Sequence, residues 1–108
     1  MAVEYPDGWT IGEESYRELF FTGKPFLLYF SSPACGPCFR LRPQLKRVVE
    51  HTKLPLVQIN ITEERVIFEQ YDISGSPSVL LIKGKNILKQ WDGHHGHSEY
   101  KKDIEELL

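Results

Sequence analysis

The sequence predicts an α/β fold, a three-layer α/β/α sandwich with a central mixed β-sheet. Short apolar segments alternate with amphipathic segments along the earlier part of the 108-residue chain, which is typical of parallel strands covered by helices. A tight hairpin follows them, and a hairpin adds antiparallel strands to the sheet. Because crossover connections between parallel strands are right-handed, we expect helices on both faces.

The first half of the chain contains three predicted elements. Trp9 to Phe21 is predicted to be a helix, because apolar residues fall on one face and Gly23-Lys24-Pro25 follows them. Phe26 to Phe30 is apolar throughout, which predicts a central strand buried on both faces. From Cys38 to about His51, apolar residues recur every three or four positions and predict an amphipathic helix.

The second half adds strands and helices in the same way. Leu56 to Ile61 alternates as a strand, and Thr62-Glu63-Glu64 can cap a helix. Ser78 to Lys83 and Asn86 to Trp91 flank Gly84-Lys85, a pattern that predicts a tight hairpin. The apolar residues assigned to the two helices are Val66, Ile67 and Tyr71 in the first, and Tyr100, Ile104, Leu107 and Leu108 in the last. We expect one domain over residues 1–108.

Composition and charge exclude several functional classes. Thirteen Lys and Arg against fifteen Asp and Glu give a formal net charge of −2, too balanced to attract nucleic acid or anionic lipid. No apolar stretch approaches the roughly 20 residues of a membrane helix. Met1 to Gly8 has an acidic residue where a secretory signal needs basic ones. We therefore expect a cytoplasmic monomer that binds neither nucleic acid nor membranes.

The main chemical motif is Cys35-Gly36-Pro37-Cys38, where a buried strand gives way to an amphipathic helix. At a helix N-terminus, free backbone N–H groups and the helix dipole stabilise a thiolate. Cys35 is therefore the predicted nucleophile, and Cys38, one turn later, the predicted resolving thiol. Gly36 leaves the nucleophile uncovered, and Pro37 suits the first helical turn. The spacing supports two-electron thiol–disulfide exchange.

Other interpretations of the cysteine pair stay open. They are a structural disulfide, a metal clip, and a homodimer that shares a metal or iron–sulfur cluster through two pairs. A tetrahedral zinc site needs four ligands, and the chain has only two cysteines. There is no glycine-rich or Walker nucleotide motif. We therefore expect no metal and no cofactor other than the redox-active Cys35–Cys38 disulfide.

The chain resembles the thioredoxin family over essentially its whole length. Phe26 to Pro43 matches the family's active-site segment, with Pro43 where the family has a helix-kinking proline. Tyr71 to Ile82 matches a segment whose proline, here Pro77, is cis and packs beside the sulfurs. The resemblance implies a reductase of protein disulfides, supplied with electrons by a reductase or a thiol donor. It implies that substrates bind against Gly36, Pro37, Ser76, Pro77, Gly93 and His94.

The departures from the family concern the same region. Ala34 replaces a tryptophan, and Tyr29 replaces an aspartate that helps to deprotonate the resolving thiol. Gln58 replaces the lysine near that aspartate. Since a phenol with a pKa of about 10 is a poor base at neutral pH, we expect slower release of mixed disulfides. With Ser76 and His94 the groove is more polar than usual, and we expect altered partner choice.

Two groups of charged or ionisable residues have an unremarkable interpretation. His94, His95 and His97 lie in a loop without further ligands, so we expect a solvated cluster rather than a metal site. A second hypothesis is that His94 tunes Cys35 or takes the place of the missing base. Arg40, Arg42, Lys46 and Arg47 are predicted to form a solvated helix face. The alternative function for the whole chain is a binding or regulatory module of the same fold with little catalytic turnover.

Overall fold

The computed structural model describes residues 6–108, which form five strands and four helices. The expectation about a secretory signal rests on Met1 to Gly8, of which Met1 to Tyr5 lie outside the described residues. No helix in the described part of the chain is long and apolar enough to cross a membrane. The elements are β1 (Trp9–Ile11), α1 (Glu13–Thr22), β2 (Phe26–Ser31), α2 (Gly36–Thr52), β3 (Leu56–Asn60), α3 (Arg65–Glu69), β4 (Ser78–Lys83), β5 (Asn86–Asp92) and α4 (His97–Leu107).

The sheet is mixed, as the sequence predicts. Its strand order is β1-β3-β2-β4-β5. Strands β1, β3 and β2 are parallel to one another, while β4 runs antiparallel to both β2 and β5. The central position of β2 explains the apolar run from Phe26 to Phe30, because a strand with neighbours on both sides and helices on both faces buries most of its side chains.

Two apolar cores lie on opposite faces of the sheet and confirm the three-layer arrangement. Leu27 and Tyr29 of β2 pack with residues of α2 and α4. Phe26, Leu28 and Phe30 of the same strand pack with residues of α1 and α3. Helix α2 contributes four buried apolar side chains to the first core, namely Leu41, Leu45, Val48 and Val49. This packing fixes α2, and with it the cysteine motif, against the sheet.

The predicted helix over Trp9 to Phe21 is wrong at its beginning. Trp9–Ile11 is an edge strand paired with Leu56–Gln58, and α1 begins only at Glu13. Gly12, at φ 100°, separates the two elements and adopts a backbone conformation that favours glycine. A strand of three residues is too short to show a period of two, and its pairing depends on a distant segment.

Two further details differ from the prediction. Thr62 does not cap α3: its N–H and hydroxyl bind the Asn60 side chain in a turn, and α3 begins at Arg65 and ends before Tyr71. Leu107 and Leu108 are largely exposed. They lie in the final turn, beyond Ile104, the last buried residue of α4.

Candidate active site

The cysteine motif lies at the start of α2, as predicted. Cys35 is the N-cap residue, and its Sγ accepts a hydrogen bond of 3.2 Å from the Cys38 N–H. Gly36 and Pro37 occupy the first helical positions, where proline loses no hydrogen bond. Cys35 and Cys38 form a disulfide. The fold thus places one sulfur at the positive end of a helix and ties it to the other sulfur within one turn.

In this oxidised state the two cysteines are equally buried, each 7% exposed. The sequence predicts that Gly36 leaves Cys35 uncovered, but in the oxidised protein Cys35 is no more exposed than Cys38. A Cβ atom added at Gly36 would meet nothing within 4 Å. The space at Gly36 is open to solvent, so a requirement for glycine there would have to come from a binding partner.

The loop before β4 lies next to the loop before α2. The Ser76–Pro77 peptide bond is cis, as the resemblance implies. The hydroxyls of Ser32 and Ser76 are 2.9 Å apart, and the Gly93 N–H donates to the Pro77 carbonyl at 2.9 Å. Three of the predicted docking residues, Ser76, Pro77 and Gly93, are therefore neighbours. His94 follows Gly93 and is exposed.

A cavity of about 110 Å³ lies against the disulfide on the α2 side of the sheet. Of the residues that the structure describes, its walls include none of Ser76, Pro77, Gly93 and His94. The cavity nevertheless adjoins these loops, because Ser32 in its wall is hydrogen-bonded to Ser76. It is lined by Tyr29, Ser31, Ser32, Pro33, Cys35, Cys38, Phe39, Arg42 and Gln58.

Neutral side chains form a hydrogen-bond chain along one wall of this cavity. Tyr29 and Gln58 are opposite each other in the β2–β3 register. The Gln58 amide donates to the Ser31 hydroxyl at 3.0 Å and accepts from the Trp9 indole N–H at 3.2 Å. Glutamine thus satisfies two neighbours at a position where the resemblance implies a lysine. Since Tyr29 and Gln58 are both neutral, neither leaves an uncompensated charge in the interior.

Tyr29 is held in its protonated form by its surroundings. Burial raises the pKa of Tyr29 to about 12, against the opposing effect of the Arg42 guanidinium. Burial also raises the pKa of Tyr71, further raised by its hydrogen bond with Tyr16. In Tyr100, burial is again the main cause of a raised pKa, with the Glu99 charge next. At neutral pH the Tyr29 phenol is therefore protonated and cannot act as a base.

This protonation makes the protein sensitive to alkali. From about pH 10, the usual phenol pKa, to about pH 12 the folded protein keeps the Tyr29 proton while the unfolded chain releases it. The stabilisation is complete below this window, and the free energy of unfolding falls as pH rises through it. Urea unfolding at about pH 8 and pH 11 should show a smaller fall for Tyr29→Phe than for the wild type. Equal falls would contradict the assignment.

Several residues that line this cavity are absent from the predicted set, among them Arg42, Ser31 and Phe39. Arg42 is half-buried in the cavity wall, although the sequence predicts it on a solvated face with Arg40, Lys46 and Arg47, which are exposed. Ser31 lies two residues after Tyr29 on the same side of β2 and could have been found from that spacing. Phe39 lines the cavity although it is 74% exposed. Nothing in the sequence around it, between Cys38 and Arg40, indicates that it lies at the cavity.

The histidine cluster divides into separate interactions. The ring of His95 lies between the Glu99 carboxylate and the Asp92 carbonyl, each at 2.8 Å. The His97 Nδ1–H donates to Gln44 at 2.7 Å. Burial and the charges of Arg47 and Lys101 lower the pKa of His97. Within residues 6–108, no group of three or more His, Cys, Asp or Glu side chains is placed to hold a metal ion.

A disulfide at the start of a helix, beside a cis-proline loop and over a mixed sheet, is the arrangement of thioredoxin-fold proteins. Comparison with known sequences agrees with this class. The family model described as Thioredoxin matches residues 9–106. The chain belongs to the thioredoxin family.

Individual relatives and structures give the same result. The chain is 34% identical over 97 residues to NADPH-dependent thioredoxin reductase 3 of Arabidopsis thaliana, covering 87% of this chain but only 18% of that protein. It is 26% identical over 101 residues to a thioredoxin of Alicyclobacillus acidocaldarius, covering 92% of this chain and 96% of the relative. A mutant thioredoxin from Halobacterium salinarum superposes with a TM-score of 0.84 at 21% identity, over 98% and 96% of the two chains, which supports the fold.

Proposed function

We propose that this protein is a thiol–disulfide oxidoreductase that reduces disulfides of other proteins through Cys35 and Cys38. The observation that carries the proposal is the Cys35–Cys38 disulfide at the N-terminus of α2. Family membership supports it, because the motif lies within the matched region. The same cysteines in a purely structural role would constrain a loop of only a few residues and add little stability.

The reaction follows from the placement of the two sulfurs. In the reduced protein, the Cys35 thiolate attacks one sulfur of a substrate disulfide, and the other substrate sulfur leaves as a thiolate. The Cys38 thiolate then attacks the Cys35 sulfur and displaces the second substrate sulfur. Both substrate thiolates take protons from solvent, and Cys35 and Cys38 end as a disulfide. Two electrons pass from the protein to the substrate.

The proposed docking surface combines the loops around the motif. It contains two residues of the motif and four of the neighbouring loops, namely Gly36, Pro37, Ser76, Pro77, Gly93 and His94. Support comes from the bonds Ser32–Ser76 and Gly93–Pro77, which hold these loops together. The exposed positions of Gly36, Pro37 and His94 are consistent with it.

The electron donor, the location and the oligomeric state are also proposals. We infer a cytoplasmic monomer, reduced by a thiol or by an NADPH-dependent thioredoxin reductase. The name of the Arabidopsis relative supports this class of donor. The changes at Ala34, Ser76 and His94 lead us to expect that a generic thioredoxin reductase acts slowly. Turnover at ordinary rates with such a reductase and insulin would refute the expected divergence.

Reduction of insulin tests the proposed function. With dithiothreitol as the electron donor, the wild-type protein should accelerate the precipitation of reduced insulin chains, because each catalytic cycle transfers an electron pair through Cys35. The matched control is Cys35→Ser, which should act no faster than dithiothreitol alone. Equal rates for wild type and Cys35→Ser would refute the proposal and favour a module that binds partners without turnover.

A further inference from the structure

The cavity beside the disulfide contains a positive charge where the resemblance implies a base. Arg42 lies on α2, one helical turn after Cys38, and lines the cavity together with both cysteines and Tyr29. Helical side chains lean towards the N-terminus of their helix, so the Arg42 side chain extends back towards Cys38. The Nη2 atom of Arg42 is buried. The guanidinium is therefore partly removed from the solvent that would screen its charge.

The other residues around the cavity contribute no charge at neutral pH. Of the described lining residues, the ionisable ones are Tyr29 on β2 and, at or on α2, Cys35, Cys38 and Arg42. Strand β3 contributes the neutral amide of Gln58. Tyr29 keeps its proton up to about pH 12. A thiolate formed at this cavity therefore meets one permanent charge from its lining, that of the guanidinium.

We propose that Arg42 is a positioning residue for the second step of exchange, in which its guanidinium holds Cys38 as the thiolate that attacks the mixed disulfide. This inference rests on the proposed function. Cys38 releases its proton to solvent, its thiolate attacks the Cys35 sulfur, and the substrate sulfur leaves and is protonated. No electron donor beyond the protein's own dithiol is needed. The fixed charge of Arg42 favours the Cys38 thiolate. The aspartate that the resemblance implies at position 29 would favour the same thiolate by accepting its proton.

The proposed effect has a defined size and pH range. An opposite charge within about 4–6 Å shifts the pKa of an ionisable group by about 1–3 units towards the charged form. Arginine stays protonated at every pH at which the protein is folded. A general base works only above its own pKa, whereas a guanidinium stabilises the thiolate over the whole range. The rate of the second step should therefore follow a single ionisation, that of Cys38.

A stoichiometric reaction with dithiobis(nitrobenzoate) separates the two steps. Attack by Cys35 releases one coloured thiolate, and attack by Cys38 releases the second. For Arg42→Met we expect an unchanged first release and a second release slowed about tenfold at neutral pH, with its half-maximal pH raised by about one unit. Arg42→Lys should retain most of the wild-type rate. Arg40→Met is the matched control, since it removes the same charge from an exposed position of the same helix.

Each outcome decides for or against Arg42. Identical pH profiles for wild type and Arg42→Met, or an equal shift in Arg40→Met, would overturn the proposal. Tyr29→Phe should leave the pH profile of the second release unchanged. If Tyr29→Phe slowed the second release as much as Arg42→Met does, the step would be assigned to the Tyr29 phenol instead. Arg42→Gln, a polar replacement, repeats the test if the methionine variant does not fold. A failed first release in the wild type would refute the proposed function itself.

Discussion

Replacement of Cys38 by serine is expected to convert the protein into a trap for its disulfide substrates. Cys35 remains at the N-terminus of α2 and still forms the mixed disulfide, but no second thiol is present to displace the substrate. Incubation of reduced Cys38→Ser with insulin should therefore give a covalent adduct that is visible on a non-reducing gel. Dithiothreitol should cleave this adduct. Multiple-turnover reduction should fall to the level of the uncatalysed reaction.

The matched variant is Cys35→Ser, which keeps Cys38 in its place one turn into the helix. It should lose both activity and adduct formation, because Cys38 lies inside the first turn of α2 and does not occupy its N-cap position. An adduct of equal yield with Cys35→Ser would show that either sulfur can attack. That result would contradict the assignment of Cys35 as the nucleophile.

The second large effect concerns stability, and Leu45→Ala should produce it. Leu45 is fully buried between α2 and the sheet. Removal of a buried leucine side chain costs about 2–5 kcal/mol, because apolar contacts are lost and a cavity remains. A domain of this size has a total stability of about 5–15 kcal/mol. Urea denaturation should therefore show a strongly reduced midpoint with an unchanged slope.

Phe21→Ala is the control for this substitution. Phe21 is 83% exposed, and surface substitutions of this kind change stability by no more than about 0.5 kcal/mol. The two variants both remove an apolar side chain from a helix, so their difference reports burial. A similar loss of stability in both variants would show that the buried face of α2 does not anchor it to the sheet.

The parts of the fold that the sequence predicts are those whose pattern is local. The apolar run of β2, the hairpin around Gly84-Lys85 and the apolar face of α2 each contain enough residues to show their period. The strand Trp9–Ile11 does not, because only three residues pair and their partners lie in β3. The exposure of Leu107 and Leu108 was also beyond prediction, since it depends on where α4 leaves the core.

The site shows the same division between local and long-range information. The cysteine motif predicts its own position, because the strand before it and the helix after it are both evident in the sequence. The position of Arg42 depends on how α2 rotates over Tyr29 and Gln58, and helical periodicity alone placed it in solvent. The hydrogen bond between Ser32 and Ser76 joins two distant loops, which no local pattern indicates.

The central claim is that Cys35, and not Cys38, is the activated thiol. The most direct test is alkylation of the fully reduced protein by iodoacetamide near neutral pH, with each site followed by mass spectrometry. Because a helix N-terminus stabilises the thiolate, Cys35 should be modified at least about tenfold faster than Cys38, and at a lower pH than a free cysteine with a pKa of about 8.5. Equal and slow modification of both thiols would contradict the claim.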